Sequence, residues 1–260
     1  MSYKIIGICL IKNEDIYINR IITNVIDFCD KIIVLDNCST DNTAEIVKRI
    51  VDVNKKVEYN SIDSFIDAQN YVKAYAGTNT WIFGVDGDEI YDPSGLSSVR
   101  EMLLEKKNSK LFRFKGYFLH AKSIDDKHVA QGYLAPPSKD PNKIYNFGLL
   151  KYWKTDGKMS LFHSQKRKFR SGYSSKSECL LYKKYKWNKC PLRCLHVRFL
   201  KRSTLESDEY VGKRLNPSNK TSPRWVMNLY NFREKYRVGK LKKIDVSSFF
   251  SKDLISIGDI

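Results

Sequence analysis

The sequence has no apolar run near the ~18 residues that a membrane-crossing helix needs, so no segment reads as a helical span. It also lacks a recognisable secretory leader: the apolar stretch from Lys4 to Leu10 is short, and Lys12, Glu14 and Asp15 follow at once. Cys9, Cys29, Cys38, Cys179, Cys190 and Cys194 do not have the dense spacing of a disulfide scaffold, and a reducing cytoplasm is the expected setting. Cys190, Cys194 and His196 have no second ligand pair at finger spacing, which argues against structural zinc. There is no internal repeat. The signatures of nucleic-acid-binding modules are missing, and no glycine-rich first loop is present to cradle a triphosphate. Acidic residues are in short supply, 29 against 46 basic ones. The resulting formal charge of +17 favours anionic partners: phosphate-bearing substrates, an acidic membrane surface or nucleic acid.

What is present is a chain of 260 residues, 42% hydrophobic, enough for one large domain or a domain with an extension. Ile5 to Ile11, Lys31 to Leu35, Val57 to Tyr59 and Trp81 to Val85 are short apolar runs that read as buried strands. Between them, Ile18, Ile21, Ile22 and Val25, then Ala44, Val47, Ile50 and Val51, then Phe65, Ala68, Val72 and Tyr75 recur at helical spacing. Asn42 followed by Glu45 has the pattern of a capping box, and Gly77 that of a helix C-cap. Strand–helix alternation predicts βαβ units: an α/β fold with a Rossmann-like, mostly parallel sheet and helices on both faces. Such a sheet brings the loops at Lys12, Asp36, Asn60 and Asp86 to one rim, where open α/β sheets bind ligands.

After Pro93 the pattern changes. Leu96, Val99 and Leu103 predict one more helix, and Phe112 to Phe118 alternate as a half-buried strand. His120 to Asn146 reads as a long polar loop. Phe147–Trp153, Met159–His163 and Leu192–Leu200 read as further strands of a smaller mixed or antiparallel part. Trp225, Leu229, Phe232 and Tyr236 predict a C-terminal helix. The expected division is one catalytic domain over 1–200, with halves 1–92 and 93–200, and a helical extension over 201–260.

The chemistry concentrates where Thr80–Val85 runs into Asp86, Gly87, Asp88 and Glu89. Oxygen ligands at a strand end suit Mg²⁺ or Mn²⁺ and, through the ion, phosphate oxygens. Taken alone, the stretch reads equally well as a solvated Asp-Gly turn. Three further motifs precede it in order: Ile11-Lys12-Asn13-Glu14, Val34-Leu35-Asp36-Asn37-Cys38-Ser39-Thr40-Asp41, and Asp67-Ala68-Gln69-Asn70-Tyr71. With Asp86-Gly87-Asp88-Glu89 they resemble the signatures of family 2 glycosyltransferases, in the branch of small lipopolysaccharide-core glucosyltransferase-like enzymes. The similarity covers residues 4–120 well and the remainder loosely.

The resemblance implies the GT-A fold, a nucleotide-sugar donor, Mn²⁺ or Mg²⁺, and inversion at the anomeric carbon. It implies that Ile11, Asn13, Glu14 and Asp36 line the nucleoside pocket, where a carboxylate can accept from the imide N–H of uracil. The other reading of Asp36 is a cap for the following helix. Asp67 and Gln69 fall where the family carries an acidic residue and an Arg, so a hydrogen bond replaces a charge contact at Gln69. Asp86 and Asp88 correspond to the Asp-x-Asp pair that meets ribose, metal and diphosphate, with Gly87 allowing close backbone approach. His196 stands where similar enzymes complete the metal or diphosphate site, with His120 and His163 as weaker candidates; the other reading is a structural histidine. An inverting transfer needs a carboxylate base. Glu178 occupies that position, with Ser177 in place of the usual His; Asp156 is the alternative, and Asp125, Asp126 and Asp140 lie in a loop placed to close over the acceptor. The implied partners are the nucleotide sugar and a glycan or glycolipid acceptor, with no nucleic acid. The basic runs Lys166–Arg170 and Lys183–Lys186 read as solvated faces or as contacts to acidic headgroups at a membrane surface. Rival readings from composition and sheet type are a basic nucleic-acid-binding protein and a nucleotidyltransferase.

Overall fold

In the computed structural model, residues 3–64, 66–134, 143–154, 166–208, 210–211 and 241–257 are described. The first βαβ series comprises β1 (Lys4–Ile11), α1 (Ile18–Val25), β2 (Lys31–Asp36), α2 (Thr43–Val53), β3 (Val57–Ser61), α3 (Ala68–Lys73) and β4 (Thr80–Asp86). All of β1 after Lys4 is buried, as expected of a strand covered on both faces. Ile5, Cys9 and Ile11 pack into one apolar layer with α1, α2 and α4 (Pro93–Leu104), whereas Ile6, Ile8 and Leu10 face the layer that contains Ala68 and Val72 of α3. β1 is parallel to β2 and β4, and β2 is parallel to β3. The expected α/β sheet with helices on both faces is therefore present.

The rest of the chain widens this sheet and adds a second. β5 (Glu89–Tyr91), β6 (Arg113–Lys115), β7 (Tyr117–Ile124), β8 (Val129–Leu134) and β9 (Ile144–Asn146) are followed by β10 (Leu150–Lys154) and β11 (Lys166–Phe169). Then come β12 (Glu178–Leu180), α5 (Leu181–Lys184), β13 (Arg193–His196) and β14 (Lys242–Asp245). The main sheet has the order β12-β6-β9-β4-β1-β2-β3, with β9 antiparallel to its neighbours. The second sheet runs β14-β8-β7-β13-β5. This is the GT-A arrangement, a mostly parallel sheet beside a smaller mixed one.

Several expectations are corrected in detail. The single strand predicted over 112–118 divides at Gly116, β6 joining the main sheet and β7 the second. A side chain at 116 would put its Cβ 1.9 Å from the Leu192 carbonyl oxygen, so only glycine lets the two sheets meet here. Gly116→Ala is expected to destabilise the fold by about 1–3 kcal/mol or more, because the obstacle is backbone, and thermal melting reads the loss. The region 120–146 is less of a loop than its polarity suggested: β7 continues to Ile124 and returns as β8, and β9 lies inside the main sheet. The capping box at Asn42 does not form. Thr43 N–H donates to Asp41 instead, and Glu45 pairs with Arg49.

The predicted strand at 159–163 and helix at 225–236 lie outside the described residues. Of the expected helical extension, residues 208, 210 and 211 are helical, whereas 241–257 contain only a short helical turn at Ser247–Phe249 and belong to the same core. β14 pairs antiparallel with β8, Val246 and Phe249 are fully buried, and Lys252 Nζ donates to the Thr23 carbonyl at 2.8 Å. Among the described residues no helix is long and apolar enough to cross a membrane.

Candidate active site

The parallel pairing of β1 with β4 sets Leu10 opposite Asp86, so the loops after both strands open on the same rim. Between them lies a cleft of about 660 Å³. Ile11, Asn13 and Glu14 line it from the first loop, Asp86, Gly87 and Asp88 from the second, and Arg202, Ser203, Glu206 and Tyr210 from the segment after β13.

The first loop is held from the side. Asn13 has φ 55°; its N–H donates to Ser39 Oγ at 2.9 Å and its Oδ1 accepts from Thr40 N–H at 2.8 Å. Glu14 N–H donates to Thr43 Oγ1 at 2.7 Å. Asp36 stands behind this arrangement and does not line the cleft. It is 1% exposed, its Oδ1 accepts from the N–H and Oγ of Ser39, and its Oδ2 accepts from the Tyr59 hydroxyl at 2.9 Å. Gly87 touches Glu14 so closely that a Cβ would sit 2.4 Å from Glu14 Cγ.

The acids of the second loop are each matched by a cation. Asp86 Oδ2 accepts from Lys143 Nζ at 2.6 Å, and the same ammonium lies 3.2 Å from Glu89 Oε1. Glu89 is buried; burial pushes its carboxyl up, Lys143 opposes this and Asp86 adds to it, leaving it at about 7. Lys143 is held charged despite its own burial, because Asp86 and Glu89 both raise it. Asp88 Oδ2 accepts from Arg202 Nη1 at 2.8 Å and lies 3.3 Å from His196 Nε2. Burial works to raise the Asp88 carboxyl, but His196, Arg202 and Lys143 together hold it well below the usual carboxylate range. Arg202 also reaches Glu14 Oε1 at 3.0 Å and so bridges the two loops. Its neighbours fasten the same segment down: Ser203 Oγ donates to Asp41, and Thr204 N–H donates to Asp15 at 2.8 Å.

His196 ends β13, with Glu89 of β5 opposite it on one side and His120 of β7 on the other. Burial lowers its imidazole and Asp88 raises it, with a net upward shift. His120 goes the other way, to about 3, because burial and the charge of His196 both disfavour a second cation.

The structure thus gathers Ile11, Asn13, Glu14, Asp86, Gly87 and Asp88 on the cleft, with His196 not lining it but 3.3 Å from Asp88. It leaves Asp36 behind the loop, and Asp67 accepting from Ser64 at the start of α3, on which Gln69 also lies. Glu178 is not brought to the cleft. Through the register it stands level with Arg113, Tyr145 and then Ile82, four residues short of Asp86 and three strands away. With about 3.3 Å per residue and about 4.8 Å per strand, that is roughly 20 Å between Cα atoms. There it forms ion pairs with Arg113 and Lys115. Asp156 and His163 lie outside the described residues. Sequence reasoning missed Lys143 and Arg202; each is one of 46 basic residues, and nothing in its local sequence marks it out.

No cluster of three or more His, Cys, Asp or Glu side chains surrounds a single point among the described residues. A carboxylate oxygen and an imidazole nitrogen 3.3 Å apart nevertheless fit a divalent ion that takes its other ligands from a diphosphate. Asp88 and His196 would hold it; Asp88 and Asp86 each have one oxygen engaged by a cation, Arg202 and Lys143 respectively.

Known proteins with related sequences are named as glycosyltransferases. A glycosyltransferase of Bacillus subtilis, SunS, derived from prophage SPbeta, is 34% identical over 94 residues, which are 36% of this chain and 22% of that protein. An uncharacterised glycosyltransferase of Rickettsia typhi is 31% identical over 86 residues, 33% of this chain and 28% of that one. The matched stretches thus span 22 to 28% of these relatives' own length. Among solved structures, the mannosyltransferase PcManGT from Pyrobaculum calidifontis, in complex with GDP-Man and Mn²⁺, aligns over 44% of this chain and 35% of that chain. That alignment has 17% identity and a TM-score of 0.36. The sequence pattern described as Glycosyl transferase family 2 matches residues 8–207, from inside β1 to the segment that closes the cleft, and the chain belongs to that family.

Proposed function

We propose that the protein transfers a sugar from a UDP-linked donor to a hydroxyl of a glycan or glycolipid acceptor, with inversion and with Mn²⁺ or Mg²⁺. The single observation that carries this reading is the convergence of Asn13, Glu14, Asp86, Gly87, Asp88 and Arg202 on one cleft of about 660 Å³. That volume is in the range of small-molecule sites. A divalent ion supplies Lewis-acid stabilisation of the departing diphosphate. Asp88 and His196 bind that ion, and Asp86, oriented by Lys143, faces the ribose. Arg202 is within reach of the same charge and secures the segment that closes over it. Asp36 acts indirectly in this reading, by fixing Ser39 and through it Asn13. Asp67 and Gln69 belong to the outer side of the donor site. Donor screening tests the proposal: melting shifts and turnover are measured with UDP-, GDP- and dTDP-sugars, with and without Mn²⁺. Stabilisation by a UDP-sugar that vanishes on chelation is expected; indifference to every nucleotide sugar sinks the reading.

For the base, the distance of Glu178 from the cleft favours Asp156. Glu178→Gln is expected to lower stability, since Arg113 and Lys115 lose their partner, while transfer by the folded enzyme stays within about fivefold. Asp156→Asn is expected to cut transfer by about 10²- to 10⁴-fold without weakening donor binding. Initial rates and donor affinities of the two variants, measured side by side, decide between them.

An acidic membrane surface fits the ribbon formed by β10 and β11. Its register pairs Tyr152 with Lys168 and Lys154 with Lys166, and all four are exposed. A peripheral, lipid-facing location in the cytoplasm follows from this reading.

A further inference from the structure

We propose that His120 is a positioning residue that holds the His196 imidazole with Nε2 turned to Asp88. This rests on the reading that Asp88 and His196 meet the metal and diphosphate. β7 and β13 run parallel, with His120 and His196 in register, so their side chains leave the second sheet on the same face. The two Nδ1 atoms are 2.8 Å apart, a hydrogen bond in which one nitrogen carries the proton and the other accepts it. The second nitrogen of His196 is the one 3.3 Å from Asp88 Oδ2. Both ring nitrogens of His196 are thereby committed, one to the adjacent strand and one to Asp88. Phe118, two residues before His120 in β7, sets its ring edge-on to His196 at 6.2 Å and 87°. A ring flip would break both polar contacts at once.

A histidine that ligates a metal is commonly fixed by a partner on its other nitrogen, and loss of that partner costs about 10- to 100-fold in metal affinity or activity. Here the partner is a second imidazole.

The test compares His120→Phe, which keeps a ring but no nitrogen, with His120→Asn, whose amide can take the place of Nδ1. Titration calorimetry of Mn²⁺ with UDP present is expected to show binding weakened about 10- to 100-fold in the Phe variant and largely restored in the Asn variant. Equal binding by wild type and Phe variant overturns the proposal, as does equal loss in both variants. A second readout needs no metal. The sequence has only four histidines, so the ring nitrogens of His196 can be followed by NMR. They are expected to shift in His120→Phe and to stay near wild type in His120→Asn; unchanged resonances in the Phe variant overturn the proposal. If wild type binds no Mn²⁺ with UDP but the ring resonances respond as expected, the donor-site reading is what has failed.

Discussion

Asp88→Ala is expected to lower kcat/KM by at least about 10³-fold while the protein still folds. The Arg202 guanidinium at 2.8 Å and the His196 imidazole at 3.3 Å converge on one oxygen of this carboxylate. In the proposed reaction a metal–diphosphate assembly must be held at that point as negative charge develops on the leaving group. Removing a single fixed electrostatic partner from a reacting centre costs roughly 3–4 kcal/mol of transition-state stabilisation. The loss here is at least as large, since the group lost is a full charge that also holds the ion. Folding survives for a structural reason. Arg202 keeps Glu14, and the Asp88 side chain, 15% exposed, borders the cleft, so water can reach the groups that lose their partner. Asp88→Asn, which keeps the shape and removes the charge, should lose nearly as much. Initial rates with donor and acceptor, alongside melting curves, provide the check. Rates within tenfold of wild type, or rates indifferent to chelation, contradict the assignment.

The largest loss of stability is expected at Lys143. Its side chain is 4% exposed and its ammonium is shared by Asp86 and by Glu89, itself 1% exposed. Lys143→Met preserves the bulk but leaves two carboxylates beside each other without a counter-charge. Breaking a buried pair in this way costs about 3–5 kcal/mol, a fall in Tm on the order of 10 °C for a chain of this size. The sign of its pH dependence follows from Glu89. Burial raises its carboxyl to about 7 even with Lys143 present, and Lys143 is the group that lowers it. Without the ammonium the folded state favours protonated Glu89 up to still higher pH. The variant therefore gains stability relative to wild type as pH falls, and its deficit at pH 5 should be smaller than at pH 8. Melting curves at both pH values test this; a deficit that is constant or grows in acid would show that Glu89 is not the stranded group.

Much of the framework was legible because it is local. Apolar residues alternating with helical faces over the first ninety residues gave β1 to β4 and the helices between them, and carboxylates after Val85 marked the functional rim. Boundaries failed where a local pattern fitted two geometries. Phe112–Phe118 alternates without a break, yet Gly116 redirects the chain from one sheet into another because Leu192 packs against it. The stretch 120–146 is polar and still pairs as strands, since β7 and β8 lie in a sheet whose exposed positions tolerate polar side chains. Glu178 matched a motif position, but its depth along β12 depends on a register that runs through three other strands.

The amino-acid order alone determined the βαβ core, the placement of the loops at residues 11–14 and 86–89 on one rim, and the membership in the family. Only the tertiary structure decided which polar groups meet there: Lys143 with Asp86, His120 with His196, and Arg202 with Asp88, pairs separated by 57, 76 and 114 positions. Strand and helix patterns arise from neighbours along the chain and can be read from periodicity. An ion pair depends on where separate segments end in space, and in a sequence with 46 basic residues nothing local distinguishes the one that is buried beside an acid.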